Sequence, residues 1–118
     1  MPQPRPDLRR GRIVWAAVRD RRGIEKHRPA IILTATQDIS ENEPLEVMAV
    51  TTTFADPPPK DHVPIPWSAR GHPVTKLNRR SAAVISWLDS IATSDVLELA
   101  GDVPPKLMIQ ILEMLDGA

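Results

Sequence analysis

The chain has 118 residues, 42% of them hydrophobic, with no Cys and equal numbers of acidic and basic side chains. This length fits a single domain, and its core must be aliphatic because the chain has one Phe, three Trp and no Tyr. The lack of Cys excludes disulfides and thiolate metal sites, and no apolar run approaches the roughly 20 residues that cross a bilayer. We therefore expect a cytoplasmic protein that does not bind membranes.

The charge is distributed unevenly along the chain. Residues 1–30 carry nine basic and three acidic side chains, a net charge of +6, so residues 31–118 carry −6. A basic segment of this kind attracts polyanions such as nucleic acid. An Arg-rich surface that only keeps the protein in solution explains the same charge equally well.

The N-terminal segment, residues 1–10, is rich in Pro and polar groups and is predicted to be a flexible tail before a single domain spanning residues 11–118. Residues 12–18 (RIVWAAV) are rich in strand-forming side chains, and the polar run that follows predicts a hairpin turn. Residues 29–34 (PAIILT) are the predicted return strand, because Pro29 has no N–H to donate and suits the first position of a strand.

Further strands are predicted over residues 45–53, 62–67 and 82–91, the last with a tight pair to the residues after it. The C-terminal segment predicts a helix, since Pro104 and Pro105 suit a first turn and Gly117 a helix end. The apolar side chains of this helix fall on one face: Leu107, Met108, Ile111, Leu112 and Leu115. Short strands followed by one amphipathic helix predict a small antiparallel β-barrel capped by that helix.

The familiar catalytic motifs are missing: there is no Gly-rich phosphate loop, no His-Glu-x-x-His and no Gly-x-Ser-x-Gly. The three histidines lie in separate polar loops without a carboxylate spacing typical of metal ligands, so neither a metal nor another cofactor is predicted. Two polar segments remain, residues 25–28 before the second strand and residues 51–53 at the end of the third. We expect neighbouring strands to bring them together.

This combination of side chains suits a phosphate, because a guanidinium binds two phosphate oxygens at once and hydroxyls add donors. RNA supplies its own nucleophile, the ribose 2′-OH, so cleavage needs only proton transfer and positive charge at the phosphate. Arg28 would stabilise that charge, and either Glu25 or His27 would move protons. The alternative is ordinary surface chemistry: a solvated Arg, a Thr run typical of strands and a Glu-Lys surface pair.

The tryptophans also leave alternatives. Trp15 and Trp87 lie in apolar strands and are predicted to be core residues. Trp67, beside Pro66, is either a platform on which a base stacks or a plug at the barrel end.

Several motifs resemble the MazF/PemK toxins. Residues 11–15 (GRIVW) are similar to the family's opening G-[DE]-[ILV]-[VIL]-[WY] strand, and residues 27–34 (HRPAIILT) to its x-R-P-[AV]-[LVI]-[VI]-[LIV]-[ST] segment. Residues 50–52 match its strand ending in Thr or Ser. Residues 71–84 and 99–103 resemble the two stretches that follow.

This resemblance implies an SH3-like barrel, a homodimer, an antitoxin partner, and cofactor-independent cleavage of single-stranded RNA that leaves a cyclic phosphate. The basic charge of residues 1–30 predicts that this antitoxin is acidic. Arg28 falls on the family's catalytic Arg, Thr51 on its catalytic Thr or Ser, and Glu25 near the Glu of its first loop. The predicted RNA-binding residues are Arg21, Arg22, Lys26, His27, Thr52 and Trp67. The first loop is shorter than the family's G-S-E-Q-x-G-x, and this favours an alternative: a non-catalytic barrel that binds a protein target or an antitoxin.

Overall fold

The β-branched runs of the sequence pair into a six-stranded antiparallel sheet in the computed structural model, which describes residues 7–117. The elements are β1 (Arg12–Arg19), β2 (Glu25–Ile32), β3 (Leu45–Thr51), β4 (His62–Ile65), β5 (Ser81–Ile91), β6 (Val96–Asp102) and α1 (Pro105–Asp116). The strand order across the sheet is β4-β5-β3-β2-β1-β6, which leaves β4 and β6 at its edges. The predicted antiparallel fold with a C-terminal amphipathic helix is confirmed.

The first hairpin is longer than predicted. Strand β2 begins at Glu25, where Arg19 pairs with Glu25, and not at Pro29. The turn is short because the Asp20 carboxylate accepts hydrogen bonds from the N–H groups of Arg22 and Ile24. Gly23 adopts a φ of 79°, the left-handed conformation that favours glycine. The polar residues that predicted a loop therefore form the exposed end of a strand.

Strand β6 forms from the residues after β5, but its partner in the sheet differs from the predicted one. The residues after β5 were expected to pair with β5, but β6 pairs with β1 instead. A short 3₁₀ turn, Thr93–Asp95, carries the chain from the end of β5 to the start of β6. The prediction of a tight pair with β5 is therefore wrong.

The sheet is buried on both faces. The cross-strand neighbours Ile13, Ile31 and Met48 belong to an apolar cluster covered by α1. On the opposite face, Val14 and Ala30 belong to a second cluster. Successive side chains of a strand point to opposite faces, so the middle of β1, β2 and β3 is committed to packing.

The sheet curls until the ends of β1 and β5 meet, although these strands are not neighbours in it. The Arg19 guanidinium donates to Asp89 at 2.7 Å, and the indole N–H of Trp87 donates to the backbone carbonyl of Arg19 at 2.8 Å. Met48 of β3 pairs with Leu88 of β5, and Val50 pairs with Ala83, so Ala49 alone stands opposite residues 84–87. The extra residues form a bulge in β5, and the strand bends there. This curl gives the sheet its barrel-like shape.

Helix α1 begins at Pro105, whose missing N–H costs nothing in a first turn, and ends before Gly117. Met108 and Ile111 are buried against the sheet, and Leu107, Leu112 and Leu115 pack at the margin of the same cluster. The predicted apolar face is confirmed. Within the described residues no helix is long and apolar enough to span a membrane.

Packed structure starts before Gly11, where the domain was expected to begin. Leu8 is buried in the second cluster, and the Arg9 guanidinium makes two hydrogen bonds to Asp102, at 2.8 and 2.9 Å. Residues 7–10 are therefore attached to the sheet rather than forming a free tail. The rest of the predicted tail, residues 1–6, lies outside the described residues.

Candidate active site

The candidate site forms where β2 and β3 stop pairing. These strands pair only over residues 30–32 and 47–49, so the preceding part of β2 and the end of β3 lie beyond the shared hydrogen bonds. Pro29, which has no N–H, stands next to the last paired residue of β2. Each strand keeps its other neighbour, since Arg28 pairs with Ala16 and Thr51 with Ala82. The space between β2 and β3 opens there, and polar side chains of both strands line it.

Two clefts occupy this region. The first, here called the Arg28 cleft, has a volume of about 610 Å³ and is lined by Arg28, Thr52, His27, Trp15 and Arg79 among others. The second, the Asp61 cleft, has a volume of about 540 Å³ and is lined by Arg21, Arg22, Asp61, His62 and Ser86 among others. Thr51, Thr53 and Trp87 line both clefts and form the boundary between them.

Arg28 is held by three different contacts. Its side chain is 22% exposed, Nη2 lies 3.9 Å from the Asp20 carboxylate and Nε donates to the Val18 carbonyl at 3.4 Å. The guanidinium carbon lies 4.7 Å from the centroid of the Trp87 ring, a cation–π contact. The pKa of Asp20 is lowered, chiefly by the hydrogen bond from the Ile24 N–H and in part by the charge of Arg28. Arg28 is therefore oriented before any ligand binds.

Thr51, the last residue of β3, faces the same space. Its hydroxyl donates to the Thr53 carbonyl at 3.1 Å and lies 3.2 Å from the Thr53 N–H. These local bonds turn the chain away from the sheet and hold the hydroxyl at the boundary of the two clefts. A phosphate there would have a guanidinium and a hydroxyl available from neighbouring strands.

The other residues predicted from the sequence divide into two groups. The structure brings Arg21, Arg22, His27 and Thr52 to the clefts, with the His27 ring edge-on to Trp15 at 5.4 Å between centroids. Glu25 and Lys26 are exposed on β2, and Trp67 is 45% exposed after β4. These three side chains line neither cleft.

A model of the PemK-like, MazF-like toxins of type II toxin–antitoxin systems matches residues 9–117. The chain belongs to this family. The match includes both strands that carry Arg28 and Thr51, as well as the terminal helix. No curated protein sequence matches the chain significantly.

Solved structures with a similar fold are also found. A MazE–MazF crystal structure from Deinococcus radiodurans (Form III) has a TM-score of 0.69 at 17% identity, covering 93% of this chain and 94% of that one. An endoribonuclease from a mycobacterial species has the same TM-score at 14% identity, covering 98% and 93%. Form II of the Deinococcus radiodurans MazE–MazF structure also gives 0.69, at 15% identity with 96% coverage of both chains. At these identities the likeness shows the fold.

Trp87 packs against the second apolar cluster, as predicted for a core residue, but it is only partly buried. It was predicted to be a core residue because Ala, Val, Ile and Leu surround it in the chain. The rest of its ring lines both clefts and contacts Arg28. Trp15, the other Trp predicted to be a core residue, is also only partly buried; it lines the Arg28 cleft and belongs to neither apolar cluster. An aromatic residue in an unusually long strand was the available signal, but nothing in the sequence marks the bulge itself.

A carboxylate-centred group was also missed. The Asp61 carboxylate accepts a hydrogen bond from Ser86 Oγ at 2.6 Å and lies 2.8 Å from His62 Nδ1. The pKa of Asp61 is lowered, first by the bond from Ser86 and then by that from His62. Within residues 7–117 no cluster of three or more His, Cys, Asp or Glu side chains is arranged to hold a metal ion.

Proposed function

We propose that this chain is the toxin of a toxin–antitoxin pair and acts as a metal-independent, sequence-specific endoribonuclease on single-stranded RNA. The observation that carries the proposal is the position of Arg28, preoriented on Trp87 beside the Thr51 hydroxyl. The ribose 2′-OH attacks the adjacent phosphorus, and the product is a 2′,3′-cyclic phosphate with a free 5′-hydroxyl. RNA brings the nucleophile, so the reaction needs no metal-activated water.

In this proposal Arg28 stabilises the negative charge that grows on the phosphate oxygens, because a guanidinium offers two parallel donors. Thr51 donates a further, neutral hydrogen bond when its hydroxyl proton turns from the Thr53 carbonyl to the phosphate. RNA enters over the basic turn, where Arg21 and Arg22 contact phosphates, and continues along His27 and Thr52. Glu25, Lys26 and Trp67 are assigned no role at the reacting phosphate, since they line neither cleft.

The test is cleavage of a long single-stranded RNA by the purified chain in excess EDTA. We expect discrete fragments that end in 2′,3′-cyclic phosphate, and no cleavage where the nucleotide before the scissile bond is 2′-deoxy. Intact RNA would favour the alternative suggested by the first loop, which is shorter than the family's pattern. That alternative is a non-catalytic barrel that binds a protein target or an antitoxin.

We further propose a homodimer and an antitoxin partner. Leu97 and Leu99 of the edge strand β6 are 61% and 40% exposed, apolar surface that a second copy would cover. Light scattering should give twice 13.1 kDa at micromolar concentration.

The antitoxin should be an acidic segment that orders as it lies across Arg28 and the first hairpin. Two of the similar solved structures are of MazE with MazF.

A further inference from the structure

We propose that His62, positioned by Asp61, is the residue that protonates the leaving 5′ oxygen. This inference rests on the ribonuclease activity proposed above and adds a residue to it. It assigns a catalytic role to a histidine in the Asp61 cleft, across the boundary residue Thr51 from Arg28.

The hydrogen bonds around Asp61 fix the state of the His62 ring. An ionised carboxylate only accepts hydrogen bonds, so Nδ1 of His62 must carry the proton in its 2.8 Å contact with Asp61. Ser86 occupies the other carboxylate oxygen. The ring is also held against Phe54, with centroids 6.0 Å apart. Nε2 is left for a substrate, since no other part of the described chain bonds it.

His62 and Thr51 lie on the same face of the sheet. Thr51 pairs with Ala82, and His62 pairs with Val84 on the other side of β5. Ala82 and Val84 are two residues apart, so their side chains and those of their partners point to one face. Both His62 and Thr51 line the Asp61 cleft. A phosphate bound at Thr51 can therefore direct its leaving oxygen toward His62.

The 2′ oxygen forms a bond to phosphorus and gives its proton to water, the bond from phosphorus to the 5′ oxygen breaks, and protonated His62 donates its Nε2 proton to that oxygen. Water then restores the proton on His62. Asp61 remains an anion throughout and keeps the ring oriented through its contact with Nδ1. The other charged groups that line the cleft are Arg19, Asp20, Arg21 and Arg22, and Arg80 lies on the ring of Phe54.

The Ser86, His62 and Asp61 side chains do not form a serine hydrolase triad. In such a triad the hydroxyl donates to the histidine, and the histidine donates to the carboxylate. Here Ser86 Oγ donates directly to Asp61, so both partners bond the same carboxylate. Ser86 and Asp61 are positioning residues, and His62 is the group available to the substrate.

The test compares two RNAs, one ordinary and one in which sulfur replaces the leaving 5′ oxygen, because a thiolate leaves without being protonated. We expect His62→Gln to slow cleavage of ordinary RNA by about 100- to 10,000-fold, the usual contribution of a general acid, and to cleave the sulfur-containing RNA at nearly the wild-type rate. Asp61→Asn should show a smaller loss with the same recovery. Lys60→Gln, an exposed change beside the pair, is the matched control and should cleave both RNAs normally.

Each other outcome has a distinct meaning. Normal cleavage of ordinary RNA by His62→Gln would overturn the inference and leave the ribonuclease proposal standing. A variant that is slow on both RNAs, with an unchanged circular dichroism spectrum and melting temperature, would also overturn the role as acid. A wild-type chain that cleaves neither RNA would overturn the proposed function, and the inference with it.

Discussion

The guanidinium of Arg28 lies over the indole ring of Trp87, 4.7 Å from its centroid, and joins β2 to the bulge of β5. The indole N–H donates in turn to the Arg19 carbonyl at the end of β1. One aromatic side chain thus orients the cation of the candidate site and contributes to the curl of the sheet. This arrangement underlies the predictions for Arg28 and Thr51.

Replacing Arg28 with Ala should abolish RNA cleavage while the fold remains intact. Loss of one charge-stabilising donor costs on the order of 100- to 1,000-fold in rate. The matched control is Arg70→Ala, which removes an exposed Arg that lines neither cleft. Cleavage rates and melting curves of both variants provide the check, and near-normal cleavage by soluble Arg28→Ala would remove Arg28 from the mechanism.

Replacing Thr51 with Ala should be milder than replacing Arg28. The hydroxyl contributes a neutral hydrogen bond, worth about 0.5–1.5 kcal/mol, so the rate should fall by roughly tenfold or less. Thr51→Ser keeps the hydroxyl, and with it the bonds to Thr53, and should cleave normally. If Thr51→Ala and Arg28→Ala lose activity equally under single-turnover conditions, the ranking of the two residues is wrong.

Stability should depend on pH through Asp89. Burial acts to raise the pKa of this carboxyl, but hydrogen bonds from the Arg19 side chain and from the backbone N–H groups of Arg19 and Ser90 outweigh burial and lower it. A lowered pKa gives stability that is present above the unfolded value of about 3.9 and is lost as pH falls through the folded value. Asp89→Asn should therefore cost about 1–2 kcal/mol at pH 7.

The same comparison at low pH provides the control for Asp89. Urea unfolding of wild type and Asp89→Asn should begin to converge as pH falls below the unfolded value of about 3.9, and the convergence should be complete below the lowered folded pKa, where the native carboxyl takes up its proton. A stability difference that stays constant from pH 7 to pH 3 would show that the charge of Asp89 contributes nothing.

Gly101 of β6 should tolerate no side chain. A Cβ atom there would lie 1.9 Å from the Val74 carbonyl oxygen and 2.6 Å from the Thr75 carbonyl carbon, and both are backbone atoms. Because backbone cannot rotate away as a side chain can, Gly101→Ala should destabilise by about 3 kcal/mol in urea unfolding. Gly117→Ala, with its nearest atom at 3.5 Å, should change stability by less than about 0.5 kcal/mol. Equal stabilities would contradict the close approach.

Antitoxin association should slow as salt rises. The attraction is between charges exposed at encounter, which are screened over about 8 Å at physiological ionic strength. Stopped-flow mixing with the protein encoded beside this chain should give a rate that falls about tenfold or more between low and high salt. A flat response, or binding that survives charge reversal at Arg28, Arg21 and Arg22 together, would place the inhibitor elsewhere.

The sequence predicted those elements whose residues carry a strong local signal. The β-branched run of β1 and the proline start and apolar face of α1 are found where they were expected. The bounds of β6 and its pairing with β1 escaped prediction because it is an edge strand with Leu97, Glu98 and Leu99 all exposed, so its pattern does not alternate. The exposed half of β2 was predicted as a loop for a related reason. Its side chains are polar and exposed, so no alternation of apolar and polar residues indicates a strand there.

Prediction of the candidate site depended on whether its residues are close in sequence or only in space. Arg28 and Thr51 were found because each stands at the end of a recognisable strand. The Asp61, His62 and Ser86 group was not found, because Ser86 reaches Asp61 only through the register of β4 and β5 and the bulge beyond it. A register cannot be deduced from the separate strands alone.

The burial of β1, β2 and β3 on both faces separates the part of the chain that must stay constant from the part that is free to diverge. A substitution inside these strands perturbs one of two packed layers, whereas most side chains of the first hairpin and of the 66–80 loop are exposed, Thr75 and Leu77 being buried exceptions in the loop. New ligand preferences can therefore accumulate at the strand ends without a folding penalty. Relatives that recognise different sequences would be expected to share an almost unchanged interior and to differ along the rims of the two clefts.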